Sequence, residues 1–201
     1  MNGEIVPVPN AIENETDLAT TAAASARSKA RIFVLYEDFA SGIPARWLAG
    51  EIARLAKPLG DSTIEMWKFD HVTRTGAFQK MTAQEAGEAD VLIIAAVSVN
   101  ELPHGLLDWF NLVASWKKNR LSPTLIAGLL GIQGEPTETD FVPSVMSDEL
   151  ARFAQRTESK FVWRWMNVYG EADSTWLREP VQQWLALQKQ LSTGATPTLV
   201  G

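Results

Sequence analysis

The sequence predicts a three-layer α/β domain built on a doubly wound, five-stranded parallel sheet. Two observations carry this expectation. Strand-like and helix-like patterns alternate five times between residues 31 and 191, and parallel neighbours need right-handed crossovers, which put helices on both faces of the sheet. Residues 90–97 form an unbroken Val/Ile/Leu/Ala run after Asp90, the pattern of a central strand covered on both sides. A common order for five such strands is 2-1-3-4-5. It places strands one, three and four, the most apolar, in the middle.

Taken in order, the first strand is 31–36 (RIFVLY), and the helix after it covers 43–56. Leu48, Ile52, Leu55 and Leu59 recur at spacings of three and four, the period of one helix face. Pro58 and Gly60 stop that helix, because proline cannot continue it and glycine relaxes the turn. Strand two is 62–69, where Glu65 and Lys68 suit a sheet edge. A polar loop with Thr73, Arg74, Thr75 and Gly76 leads to a short helix at 82–89. After the third strand, a helix at 102–118 carries Leu102, Leu106, Trp109, Val113 and Trp116, with Leu107, Phe110 and Ala114 widening its apolar face. Strand four is 124–130, helix four 144–157, strand five 160–165 and the last helix 175–191. The domain therefore spans 31–191. Residues 1–30, rich in Ala, Thr, Ser and Glu, and residues 192–201 offer too little apolar surface to offset the entropy of ordering and read as disordered tails.

Composition bounds the function. The chain has 201 residues and a net charge of -6, which disfavours nucleic acid, whose binding draws on Lys and Arg neutralising phosphates. It has no cysteine, so disulfides, thiolate nucleophiles and Cys-based metal sites are excluded. The longest apolar runs fall far below the ~20 residues of a membrane helix, and a soluble cytoplasmic protein is the expectation. Eight Trp stand against two Tyr. Most are expected to build the core, with one or two left to stack on a planar ligand or anchor an interface.

Ligands of an open α/β sheet bind beyond the carboxyl ends of the strands. The first such exit reads Tyr36-Glu37-Asp38-Phe39-Ala40-Ser41-Gly42, the third Ser98-Val99-Asn100-Glu101, and the fourth Gly131-Ile132-Gln133-Gly134. Glu37, Asp38, Ser41, Gly42, Ser98, Asn100, Glu101 and Gln133 are the candidate ligand-binding residues. Adjacent strand residues point to opposite faces, so Glu37 and Asp38 would not share one pocket if both stayed extended. His104 beside Glu101 is a candidate acid/base pair, although a favourable charge near a helix start explains Glu101 equally. Neither His71 nor His104 belongs to a Ser-His-acid pattern, and Ser41 lacks the Gly-x-Ser-x-Gly elbow of hydrolases.

With its order of elements, its Ser-Gly after strand one and its SVNELPHGLLDWF after strand three, the chain resembles the flavodoxin-like superfamily over residues 31–191. Asn100, Pro103, Leu107 and Asp108 are similar to the flavin-reductase pattern of that fold. The flavodoxin resemblance implies FMN, its phosphate at the first helix and its ring flanked by Ser98–Asn100 and 131–134, with Trp47 or Phe39 stacking. Two carboxylates at the phosphate turn oppose that anion. The receiver-domain resemblance implies Mg²⁺ at Glu37 and Asp38, a pair suited to a hard cation. The acceptor Asp, the Ser or Thr after strand four and the Lys after strand five that such domains carry are missing here. The reading of the sequence is a non-catalytic binding or regulatory module, degenerate and receiver-like, with an FMN-dependent oxidoreductase or electron-transfer protein as the alternative. A stripe of Leu107, Phe110 and Ala114 is expected to form a homodimer or partner surface if it stays exposed.

Overall fold

A computed structural model describes residues 29–74, 76–118, 123–132, 144–166 and 175–192. Five strands, β1 (Arg31–Tyr36), β2 (Thr63–Lys68), β3 (Val91–Ala96), β4 (Leu125–Ile132) and β5 (Lys160–Met166), alternate with helices α1 (Phe39–Leu55), α2 (Ala77–Glu88), α3 (Leu106–Lys117), α4 (Val145–Arg156) and α5 (Thr175–Ser192). The strands form one parallel sheet in the order β2-β1-β3-β4-β5. This is the flavodoxin-like fold, with the strand order the sequence predicts.

Alternation of side chains along each strand divides the core in two. Phe33, Leu35, Leu92, Ile94, Ile126 and Leu130 pack under α2, α3 and α4. Ile32, Val34, Val91, Ile93, Ala95, Leu125 and Ala127 pack under α1 and α5. Every residue of β3 is buried, as its unbroken apolar run requires. Trp109 and Trp184 are fully buried, one on each side, whereas Trp47 and Trp116 are exposed. The expected tails lie mostly outside the described residues. Ala30 differs: it is buried against the α1 side, and its carbonyl accepts from the Thr63 N–H, so it belongs to the domain rather than to the tail. Among the described residues no helix is long and apolar enough to cross a membrane.

Three helices start where the sequence did not place them, α2 among them at Ala77 rather than residue 82. α1 begins at Phe39 rather than residue 43, because Asp38 caps it and Ser41 completes the cap. Ser41 and Gly42 are therefore inside the helix instead of forming a turn. α3 begins at Leu106 rather than 102, because Gly105 takes a left-handed φ of 80° that breaks the helical path. The stripe expected to face a partner is also corrected. Phe110 is fully buried, its ring stacked 5.0 Å from Phe153 of α4, and Ala114 is buried too. A helix flanked on both sides buries a wide arc, so that face belongs to the core, and only Leu107 is exposed.

The Glu85 carboxyl on α2 is pushed up from its ordinary value, chiefly by burial and then by the Glu65 carboxylate, with Arg31 opposing and Glu88 adding to the rise. Its Oε2 is buried without a hydrogen-bond partner among the described residues. A raised carboxyl pKa means that the folded state holds the proton more tightly than the unfolded chain. That stability is present below the ordinary carboxyl range and is lost as pH rises through the raised value. Glu85→Gln is accordingly expected to melt at a higher temperature than the native chain at neutral pH, with the difference vanishing in acid. Thermal midpoints at the two pH values check it.

Candidate functional site

Connections from β1 and β3 leave in opposite directions across the sheet, β1 towards β2 and β3 towards β4. Between two such strands the sheet opens a crevice at its carboxyl edge, the place where ligands of this architecture bind. The crevice here is bounded by residues 36–42 and 97–101.

On the β1 side, Tyr36 is the last strand residue, paired with Lys68 and Ala95. Its ring lies against α1, where a Cβ added to Gly42 would come within 3.0 Å of Tyr36 Cδ2. Glycine at 42 is what lets the ring and helix meet. The next residue, Glu37, extends the ladder through its N–H to the Ala95 carbonyl at 2.9 Å. Its side chain then crosses to β3. The single oxygen Oε2 accepts from the Val97 N–H at 2.7 Å and the Ser98 N–H at 2.8 Å.

Asp38 turns the other way. Its Oδ1 accepts from the Ser41 N–H at 2.9 Å, and Ser41 Oγ accepts from the Asp38 N–H at 3.0 Å. This reciprocal cap satisfies donors that a helix start otherwise leaves open, and it sets a negative charge where the helix dipole favours one. Ser41 is fully buried. Among the described residues, neither Glu37 nor Asp38 is in an ion pair.

On the β3 side, the loop is tied down at one further point: the Val99 carbonyl accepts from the Met146 N–H of α4 at 3.1 Å. Ser98, Asn100 and Glu101 are exposed. The Ser98 hydroxyl and the Asn100 amide make no hydrogen bond among the described residues, so both are open to a ligand. His104 is also exposed, and no hydrogen bond or ion pair joins it to Glu101 among the described residues, so the expected acid/base pair is not assembled. At the end of β4, a bulge follows Leu129, and Gly131 has φ 71°. A Cβ there would lie 2.4 Å from Trp165 Cζ3, so the half-buried Trp165 ring lies directly across the strand exit. The sequence showed Gly131 as a turn residue and gave no sign of this aromatic shelf. Gln133 lies outside the described residues.

The structure thus brings together Glu37, Asp38, Ser41, Gly42 and Ser98, and leaves Asn100 and Glu101 reaching outward in the same loop. Metal binding by Glu37 and Asp38 is not supported. The two carboxylates diverge onto separate backbone donors, and among the described residues no group of three or more His, Asp or Glu could hold a metal ion. Phe39, Ile43 and Trp47 are exposed at successive turns on the α1 face opposite the core, so the stacking role expected of Phe39 or Trp47 has no support from their placement. FMN held as the resemblance implies does not fit either. A phosphate draws on free N–H groups at the start of α1, and there the Ser41 N–H is already taken and the Asp38 carboxylate sets a like charge beside the position.

No known family pattern and no curated protein matches the sequence. Among solved structures, the azoreductase from Bacillus anthracis str. Sterne is similar at 9% identity and a TM-score of 0.44, over 83% of this chain and 98% of that one. The NAD(P)H:quinone oxidoreductase from Methanothermobacter marburgensis is similar at 12% identity and a TM-score of 0.41, over 81% and 99%. The general stress protein 14 from Treponema denticola, in complex with FMN, is similar at 12% identity and a TM-score of 0.41, over 83% and 99%. These likenesses are of fold. The expectation of a non-catalytic, receiver-like regulatory module is not borne out: the three structures are an azoreductase, a quinone oxidoreductase and a stress protein in complex with FMN, and the likeness to them is one of fold alone.

Proposed function

We propose that the protein is an oxidoreductase or electron-transfer protein that takes a planar redox ligand in the crevice between the exits of β1 and β3. The observation that carries this reading is that the connections from these two parallel strands leave to opposite sides of the sheet, which opens a crevice at the carboxyl edge. Three local features suit a flat, weakly polar ligand. The Ser98 hydroxyl and Asn100 amide are open to accept or donate at its edge. Glu37 holds the loop that carries them at a fixed distance from β1. The Trp165 ring and Tyr36 supply aromatic surface at the same edge of the sheet.

Ligand binding to the folded state alone must raise stability, by about 2.7 kcal/mol at a hundredfold excess over Kd. Thermal unfolding is therefore expected to shift upward, in a concentration-dependent way, with at least one oxidised planar redox compound among riboflavin, FMN and a simple benzoquinone. A bound compound should then be reduced by dithionite and reoxidised by air while still bound, as followed by absorbance. Midpoints unmoved by all three compounds at millimolar concentration contradict the reading.

A further inference from the structure

Resting on that redox reading, we propose that Glu37 and Asp38 are built-in carboxylate ligands of the crevice, which make it select an uncharged planar ring over its phosphorylated form. Two sets of backbone donors could receive an anion here. One is the start of α1, where the Ser41 N–H points to Asp38 Oδ1 at 2.9 Å. The other is the β3 exit, where the N–H groups of Val97 and Ser98 converge on Glu37 Oε2 at 2.7 and 2.8 Å. The Ser41, Val97 and Ser98 N–H groups are thus already taken by carboxylates of the chain itself, and an incoming anion would have to displace them.

Charge reinforces this occupancy. A ligand phosphate placed at the start of α1 would lie within a few ångströms of Asp38 and one residue from Glu37, and like charges at such distances repel strongly in a partly buried site. Basic side chains on the flanking β2 and α1 do not offset them. Lys68 at the β2 exit is paired with Asp70 at 3.3 Å, and Arg46 is exposed on α1, two turns from its start. The groups left open at the crevice, the Ser98 hydroxyl and the Asn100 amide, are neutral and suit the carbonyl and imide edges of an uncharged ring.

Titration of the full-length chain with riboflavin and with FMN, read by quenching of flavin fluorescence, separates the two ligand forms, which differ only in the phosphate. Riboflavin is expected to bind at least about tenfold more tightly than FMN. Asp38→Asn keeps a capping side chain of equal rank while removing the charge. It is expected to narrow that ratio mainly by tightening FMN. Glu37→Gln, which retains an acceptor oxygen for both N–H groups, is the second variant and should narrow it in the same direction. FMN binding as tightly as riboflavin to the native chain overturns the inference while leaving the redox reading intact. A riboflavin preference that neither variant narrows overturns the assignment to these carboxylates. Binding of neither flavin overturns the inference outright, and the benzoquinone arm of the thermal experiment then decides the redox reading separately.

Discussion

Trp109→Ala is expected to cost about 3–5 kcal/mol of folding stability, the scale of truncating a buried Trp. Trp109 is fully buried between the sheet and α2, stacked on Phe33 at 5.9 Å and tilted against Phe110 at 5.7 Å. Its indole N–H donates to Thr82 Oγ1 at 3.2 Å. Loss of the ring opens a cavity beneath the β1–β3 half of the sheet, the half that frames the crevice. Small domains hold only about 5–15 kcal/mol in total, so the variant should approach partial unfolding at room temperature. Trp109→Phe should recover much of the loss. The ring stacking survives, and the Thr82 hydroxyl still has the Phe78 and Gln79 carbonyls to donate to. Urea midpoints followed by far-ultraviolet circular dichroism check both variants. A Trp109→Ala loss below about 1 kcal/mol would contradict the packing described.

Glu37→Ala is expected to cost about 2 kcal/mol, since it removes a charged acceptor from two backbone N–H groups, and a buried bond to a charged group contributes roughly 1.5–3 kcal/mol net. Val97 is half-buried and Ser98 exposed. Water can reach the second amide more readily than the first, which keeps the total well below the sum of two bonds. Glu37→Gln should restore most of the stability, because one oxygen accepts both bonds and the amide keeps an oxygen. The difference between the two variants isolates the bridge from its charge. Amide hydrogen exchange at Val97 and Ser98 is the direct check. Both should exchange faster in Glu37→Ala and near the native rate in Glu37→Gln.

Strands are short and their burial pattern is local, so the sheet was legible. The apolar run of β3 and the edge character of β2, with Glu65 and Lys68, follow from patterning, whereas the order 2-1-3-4-5 was expected only as a common one for such sheets. Helix starts were less legible because they depend on caps. Asp38 and Ser41 stand three residues apart, the spacing of a reciprocal cap. Beside Gly42, however, Ser41 reads equally as a turn. Gly105 after Pro103 was the available signal for the later start of α3. Its left-handed conformation is what fixes that start.

The site divides in the same way. Position was legible, because strand exits follow from the strands. Chemistry was not, because it rests on contacts across the fold. The oxygen of Glu37 meets the amides of Val97 and Ser98 some sixty residues away, and the Trp165 ring lies on Gly131 from a neighbouring strand. From sequence, Glu37 and Asp38 looked like free acids awaiting a cation. Folding commits them to the backbone. The same limit governs Phe110, whose burial depends on Phe153 of another helix.

The central claim, a redox ligand seated between the exits of β1 and β3, is tested most directly by mapping backbone amide chemical shifts during titration with riboflavin. The account predicts that shifts concentrate in residues 36–42 and 97–101, with the amino edge of the sheet, around Ala89 and Thr124, unmoved. Shifts confined to that amino edge or to the outer face of α5, or a spectrum that riboflavin leaves unchanged, would contradict it.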